Sequence, residues 1–431
     1  MVYHPRENWN RRRRPDGLRP GLTRRDFISR ATAMGLSLPA ISALLAACGG
    51  AEGETGDIAI GTPSSPVTQP LFDDNPAIES GLTVESGPLQ IFNWADYLNP
   101  DVLPRFTEET GIPYEVRTFF NEEEAVRVLS SGEVAFDVWF PVASTVGKAV
   151  AGQLIQPLNH DYLPNLGNVW PVLQDPFYDQ GSLYTTPYVV YQTGIGWRTD
   201  MVDSADVEGV DNPWDVFWNP KYAGITGLYD DFRETLKVAM FHNGVSDPDA
   251  ATQEDIDAAA AALIELVDLV NIRYTIDGAY SGIPEGRFGL HHAWSGDMVA
   301  VPFYFPVDGD PSVSRYMWPA KGPNPVGAQI ANDTMAVVKG APHPVAAHTF
   351  IDWMLNTDNA LENFGWVGYQ PPHTAIDPET LVADEWVPEY LESTIVREED
   401  FSNPVANVPI QLDVDTEAAW FEAWTQVQGG V

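Results

Sequence analysis

The sequence predicts an α/β protein of two lobes, each a mostly parallel sheet with flanking helices, and three observations carry that prediction. Short apolar runs alternate with helix-like segments, the pattern of parallel strands joined by crossover helices. The stretch from residue 87 to 431 is about 345 residues long, which suits two lobes better than one. Cys48 is the only cysteine, so the fold must rest on burial and not on disulfides.

The elements follow in order. Leu89-Gln90-Ile91-Phe92 reads as a short strand that opens the folded part, and 101–110 as a helix. A strand is expected over 114–119, a helix over 122–130 and a strand over 136–140. Thr252 followed by Asp255 is a capping signal before an Ala-rich run to Val270, the clearest helix in the chain. Residues 344–355 form another expected helix with Pro344 near its start, and 416–426 the last one. Neither an internal repeat nor a heptad pattern is visible.

The segment ahead of these elements reads as targeting, not fold. A basic run at 11–14 leads to Thr23-Arg24-Arg25-Asp26-Phe27-Ile28, a twin-arginine export signal. Residues 31–47 are uncharged, as long as a signal-peptide core and too short for a membrane span. Leu45-Ala46-Ala47-Cys48-Gly49 then reads as a lipoprotein cleavage site. The expectation is a signal peptide over 1–47, removed on export, and an acylated Cys48 that holds the protein at the outer face of the membrane. Residues 48–86, rich in Gly, Ser, Pro, Thr and acid, read as a flexible tether that cannot bury enough surface to order itself.

After residue 47 the chain holds 14 Lys+Arg and 58 Asp+Glu, a net charge of about −44. Such a chain cannot neutralise phosphates, so nucleic acid is excluded as a partner. Its field draws in cations, although a solvated acidic surface suited to a saline habitat has the same composition. Nucleophile-elbow, P-loop and dinucleotide glycine motifs are absent. His291-His292 is an adjacent pair, expected to point to opposite faces of a strand, one buried and one exposed. His343, His348 and His373 lack metal-ligand spacing, and Asp413 and Asp415 read as a solvated pair. No catalytic residue, metal or cofactor is expected.

Aromatic residues interleaved with carboxylates recur instead at separate places. They are Asn93-Trp94-Ala95-Asp96-Tyr97, Tyr229-Asp230-Asp231-Phe232-Arg233-Glu234, Ala293-Trp294-Ser295-Gly296-Asp297, Asn332-Asp333, and Gly368-Tyr369-Gln370-Pro371, each taken to follow a strand-like run. An alkyl diamine needs this mixture. Its ammonium ends require carboxylates once water is excluded, and its methylenes pack on aromatic faces that also attract the cations.

At these residues the chain resembles the periplasmic spermidine/putrescine-binding proteins of ABC transporters, over about residues 88–428. The markers are Phe92-Asn93-Trp94-Ala95-Asp96-Tyr97, Phe136-Asp137-Val138, Pro187-Tyr188, Asp230-Asp231-Phe232-Arg233-Glu234, Trp318-Pro319 and Gly368-Tyr369-Gln370-Pro371. The resemblance implies a type II periplasmic-binding-protein fold whose lobes are joined by crossing hinge strands, near 194–198 and 330–338. It implies lobe 1 from 87–196 and 332–377, lobe 2 from 197–331 and 378–431, and a monomer that delivers its ligand to a membrane permease. By the same resemblance Trp94 and Tyr97 flank the polyamine, Asp96 pairs with one ammonium, and Asp231 and Glu234 take an amine on the second lobe. Trp294 is an aromatic wall, Asp333 binds the opposite or inner nitrogen, Tyr369 lies on the rim, and Gln411 seats a longer ligand.

The chain departs from the family pattern at Ala331, where an aromatic is usual two residues before the acid, and at Val142, where a small hydroxyl residue is usual. Asp96, Ser144 and Asp297 match putrescine binders, whereas Asp231 and Gln411 match spermidine binders, so the preferred polyamine stays open. Two alternatives remain beside it. One is a receptor for another organic cation, a peptide or a sugar. The other is a secreted hydrolase using a carboxylate pair such as Asp231 and Glu234, which can share a helix face.

Overall fold

The computed structural model describes residues 58–429. Cys48 and the export signal lie outside the described residues. Strands are numbered β1 Leu89–Trp94, β2 Tyr114–Phe119, β3 Val138–Trp139, β4 Thr185–Arg198, β5 Thr226–Leu228, β6 Arg273–Tyr274, β7 Leu290–Trp294, β8 Ser314–Met317, β9 Ala328–Val337 and β10 Ala406–Asn407. The α-helices of six residues or more are α1 Val102–Thr110, α2 Glu122–Ser131, α3 Val146–Ala151, α4 Phe232–His242, α5 Gln253–Val270, α6 Ser295–Ala300, α7 Pro344–Met354, α8 Thr357–Val367 and α9 Val414–Gly429.

Local chemistry sets several boundaries. Helix α5 opens on a reciprocal capping box between Thr252 and Asp255 and closes on Asn271 in the left-handed conformation. Asn121 caps α2 by accepting from the Glu124 N–H, and Gly132 ends it at φ 61°. The expected strand over 136–140 shrinks to two residues, because only Val138 and Trp139 pair with β1 and β9.

The sheet order is β2-β1-β3-β9-β4-β7-β5-β6. At one end β1 pairs in parallel with β2 and β3; at the other β5 pairs in parallel with β6 and β7. Two long strands bridge these halves. The first part of β4, Thr185 to Gln192, pairs antiparallel with β9, and its last part pairs with β7 and β8. Every residue of β4 before Arg198, and every residue of β9, is buried. Aromatic residues fill one face of the β1 side, with Phe92 stacked on Phe136 at 4.4 Å and Trp139 wholly buried.

Strand β7 is covered on both sides, so His291 and His292 are both buried, and the expectation of one exposed histidine is corrected. Burial pushes His291 down to about 4 and His292 well below the ordinary range, so both are neutral at physiological pH.

The tether expectation for 48–86 is corrected from residue 58 onward. Residues 58–86 carry no helix, yet they lie as an extended strap on the body. Gln69 is buried and its Nε2 donates to the Tyr178 carbonyl at 2.7 Å. Asn75 Nδ2 donates to Ile155 O at 2.9 Å, and Tyr184 Oη donates to Pro70 O at 2.6 Å. Glu85 accepts from the Val345 and Ala346 N–H groups at the start of α7, where a carboxylate suits the helix dipole. The strap is ordered by partners 80 to 261 residues away, which composition cannot report.

Glu417 on α9 joins α3 to α4. It accepts from Lys148 Nζ at 2.7 and 2.8 Å and from Arg233 at 2.9 Å. Among the described residues no helix is long and apolar enough to cross a membrane.

Candidate ligand-binding site

The site gathers where β1, β7 and β5 end against the middle of β4 and β9. Asp333 lies on β9 and is 5 % exposed. Its two carboxylate oxygens accept from Tyr97, in the loop after β1, at 2.7 Å and from Tyr191, on β4, at 3.3 Å. Asp297 lies in the first turn of α6, directly after β7, and is equally buried. It accepts from Tyr229 and Tyr369, both at 2.7 Å. Each carboxylate is thus bracketed by two phenols. Tyr369 joins the pairs, with its ring edge-on to Tyr97 at 5.0 Å and to Tyr191 at 5.7 Å.

Tyr369 can reach this position because two glycines let its loop sit on α6. A Cβ on Gly296 would strike the Tyr369 ring at 2.4 Å, and one on Gly368 would strike the Gly296 carbonyl at 2.2 Å. Gly368 also takes φ 81° as the cap of α8, which disfavours any other residue. Tyr369 therefore follows a helix, not the strand-like run expected for it.

A third carboxylate, Glu234 on α4, accepts from Thr193 at 3.0 Å and from Gln329 at 2.5 Å. Asp231 caps the same helix by accepting the Glu234 N–H at 2.9 Å, and burial raises its carboxyl above the ordinary range. Burial pushes Asp297, Asp333 and Glu234 up to about 7, and the like charge of Asp231 adds to the shift at Glu234. Among the described residues none of these three forms an ion pair with Lys or Arg.

The rings of Tyr229, Trp294, Tyr191, Tyr369 and Tyr97 touch in turn, whereas Trp94 packs on Phe119. Trp294 stacks on Tyr229 at 4.0 Å and faces Tyr191 edge-on at 6.2 Å. Trp94 donates its indole N–H to Phe140 O at 3.0 Å. Tyr191 explains the departure at Ala331. The two residues are directly paired across β4 and β9, so the tyrosine ring stands over the small side chain and reaches Asp333 two residues on. The aromatic absent from position 331 is supplied by the neighbouring strand.

The remaining expected residues are placed less uniformly. Ser144 is buried beside Val142, whose backbone bridges to Asp333. Gln411 is buried; its Nε2 donates to Leu412 O, and its Oε1 has no hydrogen bond among the described residues. Asp96 stands exposed after β1 with φ 56°, near enough to Tyr280 to help raise that phenol alongside Asp297. Tyr191 and Tyr280 were not among the expected residues, and Tyr229 was noted only as part of its acidic cluster. A separate open hollow of about 320 Å³, lined by Arg105, Glu109, Asp352 and Trp353, shares no residue with this site.

The sequence pattern of the bacterial extracellular solute-binding proteins matches residues 102–389. The chain belongs to that family. Among relatives, it is 27 % identical over 320 residues to the spermidine/putrescine-binding periplasmic protein of Escherichia coli K12, covering 70 % of this chain and 87 % of that one. It is 26 % identical over 378 residues to the putrescine-binding periplasmic protein PotF of the same organism, covering 81 % and 93 %. In structure it resembles the spermidine/putrescine ABC transporter substrate-binding protein PotD of Streptococcus pneumoniae, at a TM-score of 0.61 and 23 % identity, covering 80 % of this chain and 99 % of that one. This solute-binding protein thus has the type II periplasmic-binding fold that its sequence led us to expect.

Proposed function

We propose that the protein binds a polyamine of the putrescine and spermidine class between its two lobes and passes it to the permease of an ABC importer, catalysing no reaction. The observation that carries this reading is the set of buried carboxylates, Asp333, Asp297 and Glu234, without an ion-pair partner among the described residues. A buried carboxylate must find a cation or give up its charge. The rings of Tyr97, Tyr191, Trp294 and Tyr369 meet beside the acids, where an alkyl chain would pack, and Trp94 is proposed to extend this wall. Asp96, Ser144, Asp231 and Gln411 complete the proposed lining. The names of the relatives support the same class.

The proposed lobes are 87–196 with 332–377, and 197–331 with 378–431, with crossings near 194–198 and 330–338, close to where β4 changes partner at Gln192 and Thr193. In this reading Lys148 on lobe 1 and Glu417 on lobe 2 form an ion pair that holds the closed state. Against a hydrolase, Asp231 is committed to capping α4 and Glu234 to Thr193 and Gln329, which leaves neither oriented as an acid–base pair.

A thermal-shift panel of putrescine, spermidine, choline, amino acids and sugars tests the reading. Putrescine or spermidine should raise the midpoint with concentration, because a ligand of the native state stabilises it by mass action. Small-angle scattering should show a monomer that becomes more compact with polyamine. An unchanged midpoint and profile at millimolar polyamine overturn the proposal, and a response to choline or an amino acid alone points to the other-cation or other-solute receptor.

We further propose export by the twin-arginine route and anchoring through a lipid on Cys48, on the strength of Arg24-Arg25 and Leu45 to Cys48. Cys48→Ser should move the protein from the membrane to the soluble fraction. Mass spectrometry that found Cys48 unmodified on the mature chain would remove this anchor.

A further inference from the structure

Glu122 is the first residue of α2, and nothing in the polyamine reading has used it. Its Oε1 accepts from the Val142 N–H at 3.3 Å. Val142 is the residue whose backbone bridges to Asp333, and the Thr334 N–H donates to the adjacent Pro141 carbonyl at 2.9 Å. The Glu122 carboxylate therefore sits on the backbone of the segment that bridges to Asp333, within range of the Asp333 charge. Its second oxygen, Oε2, is buried and makes no hydrogen bond among the described residues. Glu122 also forms none of the ion pairs found among the described residues.

We infer that Glu122 is a ligand-contacting, specificity-determining residue that forms, with Asp333, a two-carboxylate seat for one ammonium group of a polyamine. The inference rests on the polyamine reading and narrows it. Two buried carboxylates within range of each other's charge repel unless a cation lies between them, and a primary ammonium brings three N–H donors in one charge. Two of those donors satisfy Glu122 and Asp333, and the third remains for another acceptor. A quaternary ammonium of the same charge brings none, so this seat selects amine ends over choline-like heads.

The electrostatics of the seat point the same way. Burial first, then the like charges of Asp333 and Glu123, push the Glu122 carboxyl well above the ordinary range, with the Val142 N–H and Thr145 acting in the opposite sense. On the other side Asp333 is faced by the phenols of Tyr97 and Tyr191. Lys148 and Arg233 bear on Glu123 and are both engaged with Glu417. Polyamine entering the seat would ionise Glu122 and Asp333 together and release protons.

Glu122→Gln separates the charge from the fold, because glutamine keeps an acceptor oxygen for the Val142 N–H. Titration calorimetry with putrescine and spermidine, in two buffers of different ionisation enthalpy near pH 7, reads both affinity and protons released. Glu122→Gln should bind at least tenfold more weakly and release fewer protons than the parent, at a ligand-free thermal midpoint equal to or above the parent's. Glu122→Asp, which keeps the charge on a shorter arm, should recover the proton release, and choline should bind neither parent nor variant. A parent that binds polyamine alongside a Glu122→Gln variant of equal affinity and equal proton release overturns the inference alone. A parent that binds no polyamine overturns the functional reading and the inference with it.

Discussion

Asp333→Asn should weaken every polyamine by more than about a hundredfold while leaving the protein folded. Asp333 is buried, is held by Tyr97 and Tyr191, and forms no ion pair with Lys or Arg among the described residues. In the complex its partner would be the ligand ammonium. Removing one member of a buried ion pair leaves the other charge uncompensated, typically at roughly 3–5 kcal/mol. Asparagine is nearly the same shape and still accepts one phenol hydrogen bond, so the bracket survives and the loss reports charge. Calorimetry on parent and variant, with the ligand-free thermal midpoint as a control on folding, decides it. A variant that binds like the parent would remove Asp333 from the site.

The second large effect is on pH. Asp297, Asp333 and Glu234 are pushed up to about 7 by burial in the ligand-free protein. An adjacent ammonium favours the ionised form, so the complex binds fewer protons than the free protein. Affinity must then rise with pH through about 7 and level off above it, by up to roughly tenfold per pH unit for each carboxyl that has to ionise. The ligand does not set the trend, since alkyl amines stay protonated to about pH 9–10.

Ligand-free stability runs the opposite way. These carboxyls have folded values above their unfolded values of 3.8 and 4.5, so the folded state holds more protons between about pH 4 and 7. Their stabilising contribution is full below about pH 4 and is lost as pH rises through about 7. The midpoint gained on adding saturating polyamine should therefore grow from pH 5.5 to pH 8. A ligand-induced gain that is flat, or that shrinks, over that range would show that these carboxyls do not meet the cation.

Much of the scaffold was legible because its signals are local. Thr252 and Asp255 mark the start of α5 wherever that helix packs, and Pro344 can open α7 because its missing N–H would have no helical partner there. The alternation of β1, α1, β2 and α2 likewise needs only hydrophobic period and capping. Where position relative to distant strands matters, the same reading failed. The two adjacent histidines of β7 look half-exposed by strand period, yet both are buried because β7 lies inside the sheet with cover on both faces. The strap over 58–86 looks unstructured by composition, yet Gln69 and Asn75 are buried on carbonyl groups far along the chain.

The site divides in the same way. The sequence by itself determined the chemistry: carboxylates set among aromatics, at Trp94 to Tyr97, Asp231 to Glu234, Trp294 to Asp297, Asp333 and Tyr369, in a strongly acidic chain without catalytic or metal-ligand spacing. Only the tertiary structure decided how these residues meet. Tyr97 and Asp333 are 236 residues apart, and Tyr191 and Asp333 are 142 apart, yet each pair shares a hydrogen bond. Tyr191 reaches Asp333 through the register of β4 against β9, and Glu122 is held by the backbone of Val142, which bridges to Asp333. Residue type is written one position at a time, but register and burial belong to pairs of segments, and a single sequence holds no local signal for which distant segments will pair.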